Sequence, residues 1–246
     1  MGNLDGKVAL VTGASSGLGA ATAKVFAERG ATVFGVARDI ERLAEVFADV
    51  PGGRYASVDI GTADACRQAV TDCVAAFGRL DVLANVAGFH QMRRTITLTD
   101  EEWDQDLAVN LNGPFYLCRA ALPHLLETGG NIVNVASVAG VEGEVYSAAY
   151  CAAKHGLVGL TRALAVEYTK EKVRINAVCP GGMLTPQVTE FAAPDDADWD
   201  LIMRIAAPRG FMDPVDVAKT IAFLASDDAA AIHGAVYRVD NGKGAD

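Results

Sequence analysis

Val8-Ala9-Leu10-Val11-Thr12-Gly13-Ala14-Ser15-Ser16-Gly17-Leu18-Gly19 is the stretch that decides the fold. Four apolar residues, two of them β-branched, run without interruption into Thr12-Gly13. That reads as a strand buried on both faces. From Gly17 the spacing turns helical and continues to Glu28, with Gly30 placed to close the helix. Gly13, Gly17 and Gly19 follow the spacing G-x3-G-x-G between strand and helix. Small residues there let backbone amides approach a diphosphate, and the helix N-terminus adds positive potential. The motif is not a P-loop, because Lys and Ser/Thr are missing after a second glycine. It is not G-x-G-x-x-G either. Taken alone, it is also compatible with a tight turn that holds no ligand.

Working outward, short apolar runs alternate with longer helical patterns. Strands are predicted at 8–11, 32–36, 55–58, 82–84, 132–136, 173–178 and 235–239. Helices are predicted at 17–28, 40–47, 63–77, 100–126, 148–168 and 214–226. The 100–126 pattern is expected to bend at Gly113-Pro114. Asp213 is the expected N-cap of the last helix, with Pro214 in its first turn. Such alternation implies βαβ crossovers and a parallel sheet covered on both faces. The expected architecture is α/β: one Rossmann-type doubly wound domain spanning 1–246, with seven parallel strands and a substrate lid at about 186–209.

Composition narrows the function. The chain has 246 residues, 51% apolar and 21% charged, enough to bury a sizeable core. The net charge of −10 and the lack of a basic cluster argue against nucleic acid and against an anionic membrane surface. The longest uncharged stretch, Val8 to Ala23, is too short and too polar to span a bilayer. The N-terminus carries Asp5 and Lys7 and no export pattern, so a cytoplasmic location is expected. Cys66, Cys73, Cys118, Cys151 and Cys179 are scattered, with no CxxC pair, and read as reduced thiols. His90, His124, His155 and His233 show no ligand spacing, so no metal site is expected.

In an open α/β sheet, ligands bind where strands end and their order reverses. Asp59, with Ile60 beside it, follows the third strand and is a candidate acceptor for an adenine amino group; a helix cap is the alternative. The second strand ends at Val36-Ala37-Arg38-Asp39. An acid at its end would bind the ribose hydroxyls of NAD. Ala37 stands there instead, followed by Arg38, whose guanidinium can grip a 2′-phosphate. NADP(H) is favoured, and Asp39 nearby keeps NAD(H) open.

Tyr150 and Lys154 are four apart on a predicted helix and share a face. A tyrosine of ordinary pKa is a poor base at neutral pH, and a neighbouring ammonium favours its phenolate. Ser137 follows the 132–136 strand, where its hydroxyl can bind a substrate carbonyl or alcohol. Asn110 sits mid-helix, where an amide is mildly unfavourable and invites an explanation.

These residues together resemble the short-chain dehydrogenase/reductase family. The resemblance runs from about Gly6 to Gly242. It includes Thr12–Gly19, Asn85-Val86-Ala87-Gly88, Asn110, Ser137, Tyr150-Cys151-Ala152-Ala153-Lys154, Pro180-Gly181-Gly182-Met183-Leu184-Thr185 and Val239-Asp240-Asn241-Gly242. The family often has a second asparagine where Val86 stands, and Asp-Gly-Gly near Asp240.

The resemblance implies a hydride transfer between NAD(P) and a secondary alcohol or ketone. It implies that Tyr150 exchanges a proton with the substrate oxygen and that Ser137 orients that oxygen. Lys154 would tune Tyr150 and hold the nicotinamide ribose, while Asn110 supports a relay water. The implied cofactor set is Gly13, Ser15, Ser16, Gly17, Leu18, Gly19, Arg38, Asp59, Ile60, Asn85, Ala87, Gly88, Tyr150, Lys154, Pro180, Gly181, Met183 and Thr185. Asn85 could instead stabilise the sheet.

Substrate choice is expected in 89–95, 138–147 and 186–209, with Val141, Val145, Tyr146, Met183 and Phe191 forming an apolar pocket. His90 and His155 are candidate acids or bases; the alternative reading is a loop histidine and a helix-surface or interface histidine. Ala152, Ala153, Gly156, Gly159 and Ala163 line the helix that, by the same resemblance, meets its copy in a homodimer or homotetramer. A dinucleotide-binding sensor or scaffold without catalysis, and an S-adenosylmethionine methyltransferase, remain as alternatives.

Overall fold

Parallel pairing of β1 with both β2 and β4 organises the molecule: Val11 faces Gly35 on one side and Ala84 on the other. This computed structural model describes residues 4–189 and 192–245. The strands are β1 (Val8–Thr12), β2 (Thr32–Ala37), β3 (Arg54–Ser57), β4 (Val82–Asn85), β5 (Asn131–Val135), β6 (Arg174–Pro180) and β7 (Val236–Val239). All pairs are parallel, in the order β3-β2-β1-β4-β5-β6-β7. Strand order reverses between β1 and β4, which opens a crevice at their carboxyl ends.

The helices are α1 (Gly17–Glu28), α2 (Ile40–Phe47), α3 (Ala63–Phe77), α4 (Asp100–Leu107), α5 (Gly113–Thr128), α6 (Ala148–Glu167), α7 (Pro186–Thr189), α8 (Trp199–Met203) and α9 (Pro214–Ala225). Alternation along β1 sorts the core into two layers. Ala9 and Val11 join α1 and α9 on one face. Val8 and Leu10 join α3 and α5 on the other. Because both faces are covered, β1 is buried throughout, as its unbroken apolar run required.

The 100–126 pattern, expected to bend at Gly113-Pro114, is interrupted immediately before that pair. A π-helical turn, Ala108–Asn112, separates α4 from α5. Pro114 follows it and brings no N–H to the carbonyl of Asn110 four residues earlier, so the regular ladder is broken on that side. Asn110 lies inside the widened turn. Asp213 caps α9 as expected, accepting from the Val215 amide.

Candidate active site

The first wall of the crevice is built from backbone. Thr12 Oγ1 at the end of β1 accepts from the amides of Val86 and Ala87, each at 2.9 Å, and so pins the loop after β4 against the glycine turn. Gly13 has φ +69, and a Cβ there would stand 2.9 Å from the Ala87 Cα. Gly17 has φ +49, and a Cβ there would meet the Thr185 methyl at 3.2 Å. The turn, the β4 loop and the β6 loop therefore converge with no room for side chains. Ser16 caps α1 without a side-chain hydrogen bond, so the first-turn amides of α1 keep their donors free of that partner.

These elements enclose a cleft of about 1060 Å³. Its wall carries Gly13, Ser15, Ser16, Gly17, Leu18, Gly19, Arg38, Asp59, Ile60, Ala87 and Gly88, together with Pro180, Gly181, Met183 and Thr185. Ser137, Tyr150 and Lys154 line the same cleft. Two expected residues do not. Asn85 is 1% exposed and its amide donates to Asn134 Oδ1 on β5 at 2.8 Å. It stitches two strands together and does not reach the cleft it was expected to line. Asn110 is wholly buried; it accepts from the Phe89 amide and donates to the Phe89 carbonyl, clamping the β4 loop from behind. A Cβ at Gly88 would lie 3.3 Å from both Asn110 Oδ1 and Lys154 Nζ, so both side chains approach that glycine. Asp59 accepts from the Gly61 amide in a local turn and still faces the cleft.

Burial governs the charges. Lys154 is 2% exposed; its Nζ donates to the Val135 carbonyl at 3.0 Å and lies 5.7 Å from the Tyr150 ring centre. Burial pulls its ammonium down to about 8. Burial also pushes the Tyr150 phenol well above its ordinary value, and the hydrogen bond with Ser137 pulls it back. Burial is thus the largest influence on this phenol, and Ser137 is the group acting against it.

Three sets of contacts were not foreseen from the sequence. Arg42, one helical turn after Arg38, also lines the cleft and pairs with Asp39 at 3.4 Å. Its register on α2 was the available signal. His90 stacks on Tyr150, centroid to centroid 4.4 Å. Glu144 is nearly buried on the cleft wall, paired with Lys243 at 3.5 Å. Only folding brings these last two beside Tyr150.

The segments expected to choose the substrate do meet. Tyr146 (φ 57) accepts at Oη from the Asp198 amide, and its ring lies 5.2 Å under the Arg94 guanidinium. Arg94 Nε in turn binds Asp196 at 2.7 Å. Met183 lines the cleft, whereas Phe191 lies outside the described residues. No metal-binding cluster is found among the described residues, and no described helix is long and apolar enough to cross a membrane.

A doubly wound sheet with a glycine-floored crevice at its switch point defines a dinucleotide-binding α/β protein. A family model described as enoyl-(acyl carrier protein) reductase matches residues 13–243. The D-threitol dehydrogenase of Mycolicibacterium smegmatis is 40% identical, covering 97% of this chain and 93% of that protein. The meso-2,3-butanediol dehydrogenase of Serratia marcescens is 39% identical, covering 97% and 94%. The crystal structure of a dehydrogenase/reductase from Sinorhizobium meliloti matches with a TM-score of 0.88 at 33% identity, over 98% of this chain and 96% of that one. The chain belongs to the short-chain dehydrogenase/reductase family. It is an NAD(P)-dependent oxidoreductase acting between alcohol and carbonyl groups, which decides against the non-catalytic alternative.

Proposed function

We propose that this chain is an NADP(H)-preferring dehydrogenase/reductase of secondary alcohols and ketones, working through Tyr150, Ser137, Lys154 and Asn110. The carrying observation is that Ser137, Tyr150 and Lys154 line one cleft, with Lys154 Nζ 5.7 Å from the Tyr150 ring centre. The residues present fit a nicotinamide dinucleotide. At Gly13, Gly17 and Gly88 a Cβ would press on Ala87, on Thr185, and on Asn110 with Lys154, so only glycine lets these walls of the cleft come together, and the α1 amides stand ready for a diphosphate. Arg38 and Arg42 offer two guanidinium groups for a 2′-phosphate, and Asp39 is already occupied as cap of α2 and partner of Arg42.

When bound, the cofactor supplies or accepts the hydride. Ser137 orients the substrate oxygen by hydrogen bonding. Tyr150 exchanges a proton with that oxygen at its Oη, and Ser137 steadies the phenolate that results. Lys154 holds positive charge beside the ring and donates to ribose hydroxyls. Asn110 sets the position of the β4 loop and, across Gly88, faces the Lys154 ammonium, where a relay water would sit. Residues 186–209 act as the lid of one domain spanning 1–246, tied by Arg94 and Tyr146 to the neighbouring loops. A cytoplasmic location fits the charge and the reduced thiols. A homodimer or homotetramer is supported by the exposed face of α6, where Ala152, Gly159, Ala163 and Val166 line up.

Tyr150→Phe tests the mechanism. Turnover of secondary alcohols should fall by at least about a thousandfold, while NADPH binding, followed by nicotinamide fluorescence, stays within about threefold. Turnover at the parent rate would sink the assignment.

A further inference from the structure

The mechanism above leaves His90 without a task, although it is the aromatic neighbour of Tyr150, with ring planes tilted by 35°. Its Nε2 lies 2.8 Å from Ser147 Oγ. One tautomer satisfies both short contacts of Ser147 Oγ at once. Ser147 has one hydroxyl proton and donates it to the Val145 carbonyl at 3.0 Å. Its oxygen can then only accept from the imidazole, so Nε2 carries the proton and Nδ1 carries a lone pair. Burial, reinforced by the charges of Arg93 and Lys154, pulls the ring down to about 4, which leaves it neutral at pH 7.

Nδ1 has no hydrogen-bond partner among the described residues. Nor is it sealed inside the protein: among the described residues, the buried side-chain polar atoms without a partner are Asn85 Oδ1 and Asn131 Oδ1. The His90 ring lines the cleft. Glu144, the other acceptor on that wall near Tyr150, is taken by Lys243. The cleft therefore presents one unengaged, uncharged acceptor next to the tyrosine that handles the substrate oxygen.

We propose that His90 Nδ1 is a specificity-determining acceptor for a second substrate hydroxyl, carried on the carbon beside the one that is oxidised. The preferred substrates are then vicinal diols and, in the reverse direction, α-hydroxy ketones. This rests on the reading of Tyr150 as the partner of the reacting oxygen. The assignment puts a hydroxyl one carbon from the reacting oxygen at an ordinary hydrogen-bond length from Nδ1, about 2.8 Å. A substrate with an ether oxygen there sets lone pair against lone pair. A plain alcohol leaves the acceptor dry and unpaired, which a site built for a hydroxyl penalises.

Three probes separate these cases: butane-2,3-diol, its mono-methyl ether 3-methoxybutan-2-ol, and butan-2-ol. With the parent enzyme, kcat/KM for the diol should exceed that for either other alcohol by about tenfold or more, mostly through KM. His90→Phe keeps a ring against Tyr150 and removes Nδ1, and should bring the diol-to-butan-2-ol ratio close to one. His90→Asn returns an acceptor near the same place and should restore part of the ratio. Because the ratio is read, a general loss of activity in a variant cancels. Ratios near one in the parent enzyme, or a diol preference that survives in His90→Phe, overturn this inference alone. Absence of turnover with all three alcohols, together with no reduction of the corresponding ketones, would overturn the Tyr150 reading as well.

Discussion

Lys154 shows how a single residue can serve function against stability. Its side chain makes one hydrogen bond, to Val135, and burial holds its ammonium near 8 instead of 10.5. The folded state therefore binds fewer protons than the unfolded chain between these values, so stability should rise with pH across that window. Below pH 8 the burial cost is carried in full. A shift of that size corresponds to about 3 kcal/mol, offset by about 1 kcal/mol for the hydrogen bond. Lys154→Met should thus melt several degrees higher than the parent at pH 7, and the advantage should shrink from pH 8 to 10.5; thermal scans across pH check this. Arg38 carries a different wager. If it grips a 2′-phosphate, the parent binds NADPH more tightly than NADH, and Arg38→Asp reverses the order by about tenfold or more. Equal affinities in both proteins, measured by fluorescence titration, would remove the NADP assignment. Tyr150, Lys154, Ser137 and the three glycines were legible as residues because their spacing has chemical meaning. The contacts of His90 were not, because Ser147 and Tyr150 lie more than fifty residues away.

At the scale of elements, loops do the positioning. Thr12 holds the β4 loop by accepting two amides, and that loop carries Gly88, Phe89 and His90 into the cleft. Thr12→Val keeps the shape and orphans both donors, at a cost of about 2–5 kcal/mol, or roughly 5–15 °C in Tm. Thr12→Ser keeps the hydroxyl and should lose far less, as calorimetry of the pair would show. The π-helical turn between α4 and α5 illustrates what periodicity misses. A widened turn adds one residue to the repeat, which a helical pattern absorbs without a visible break. Pro114 hinted at disruption but placed it a few residues late. The strands were easier, since a run such as Val8–Val11 has little other use than a sheet covered on both sides.

At the scale of the molecule, the outer faces remain to be assigned. Val166 on α6 is 75% exposed, and Phe115 and Leu126 on α5 are each 38% exposed. Gly156 belongs to the interior, since a Cβ there would strike Leu111 at 2.9 Å, whereas Gly159 looks onto open space. The small-residue stripe therefore divides: part packs inward and part is left for a partner. If α6 meets its copy, the parent chain should run as a dimer or tetramer in light scattering, and Val166→Asp should shift it towards monomer. A monomeric parent chain would end the oligomer proposal.

What the sequence determined by itself was local and periodic. It set seven strands in alternation with helices, the glycine turn after the first, and the Tyr150/Lys154 face, because these depend on neighbours a few residues apart. The tertiary structure alone decided that Asn85 stitches strands, that Tyr150 is buried beside Ser137 and Lys154, and that Arg42 shares the cleft with Arg38. It also set His90 against Tyr150 and Ser147. Each of these turns on burial or on hydrogen bonds between distant segments, and both are properties of the packed molecule that no spacing along the chain encodes.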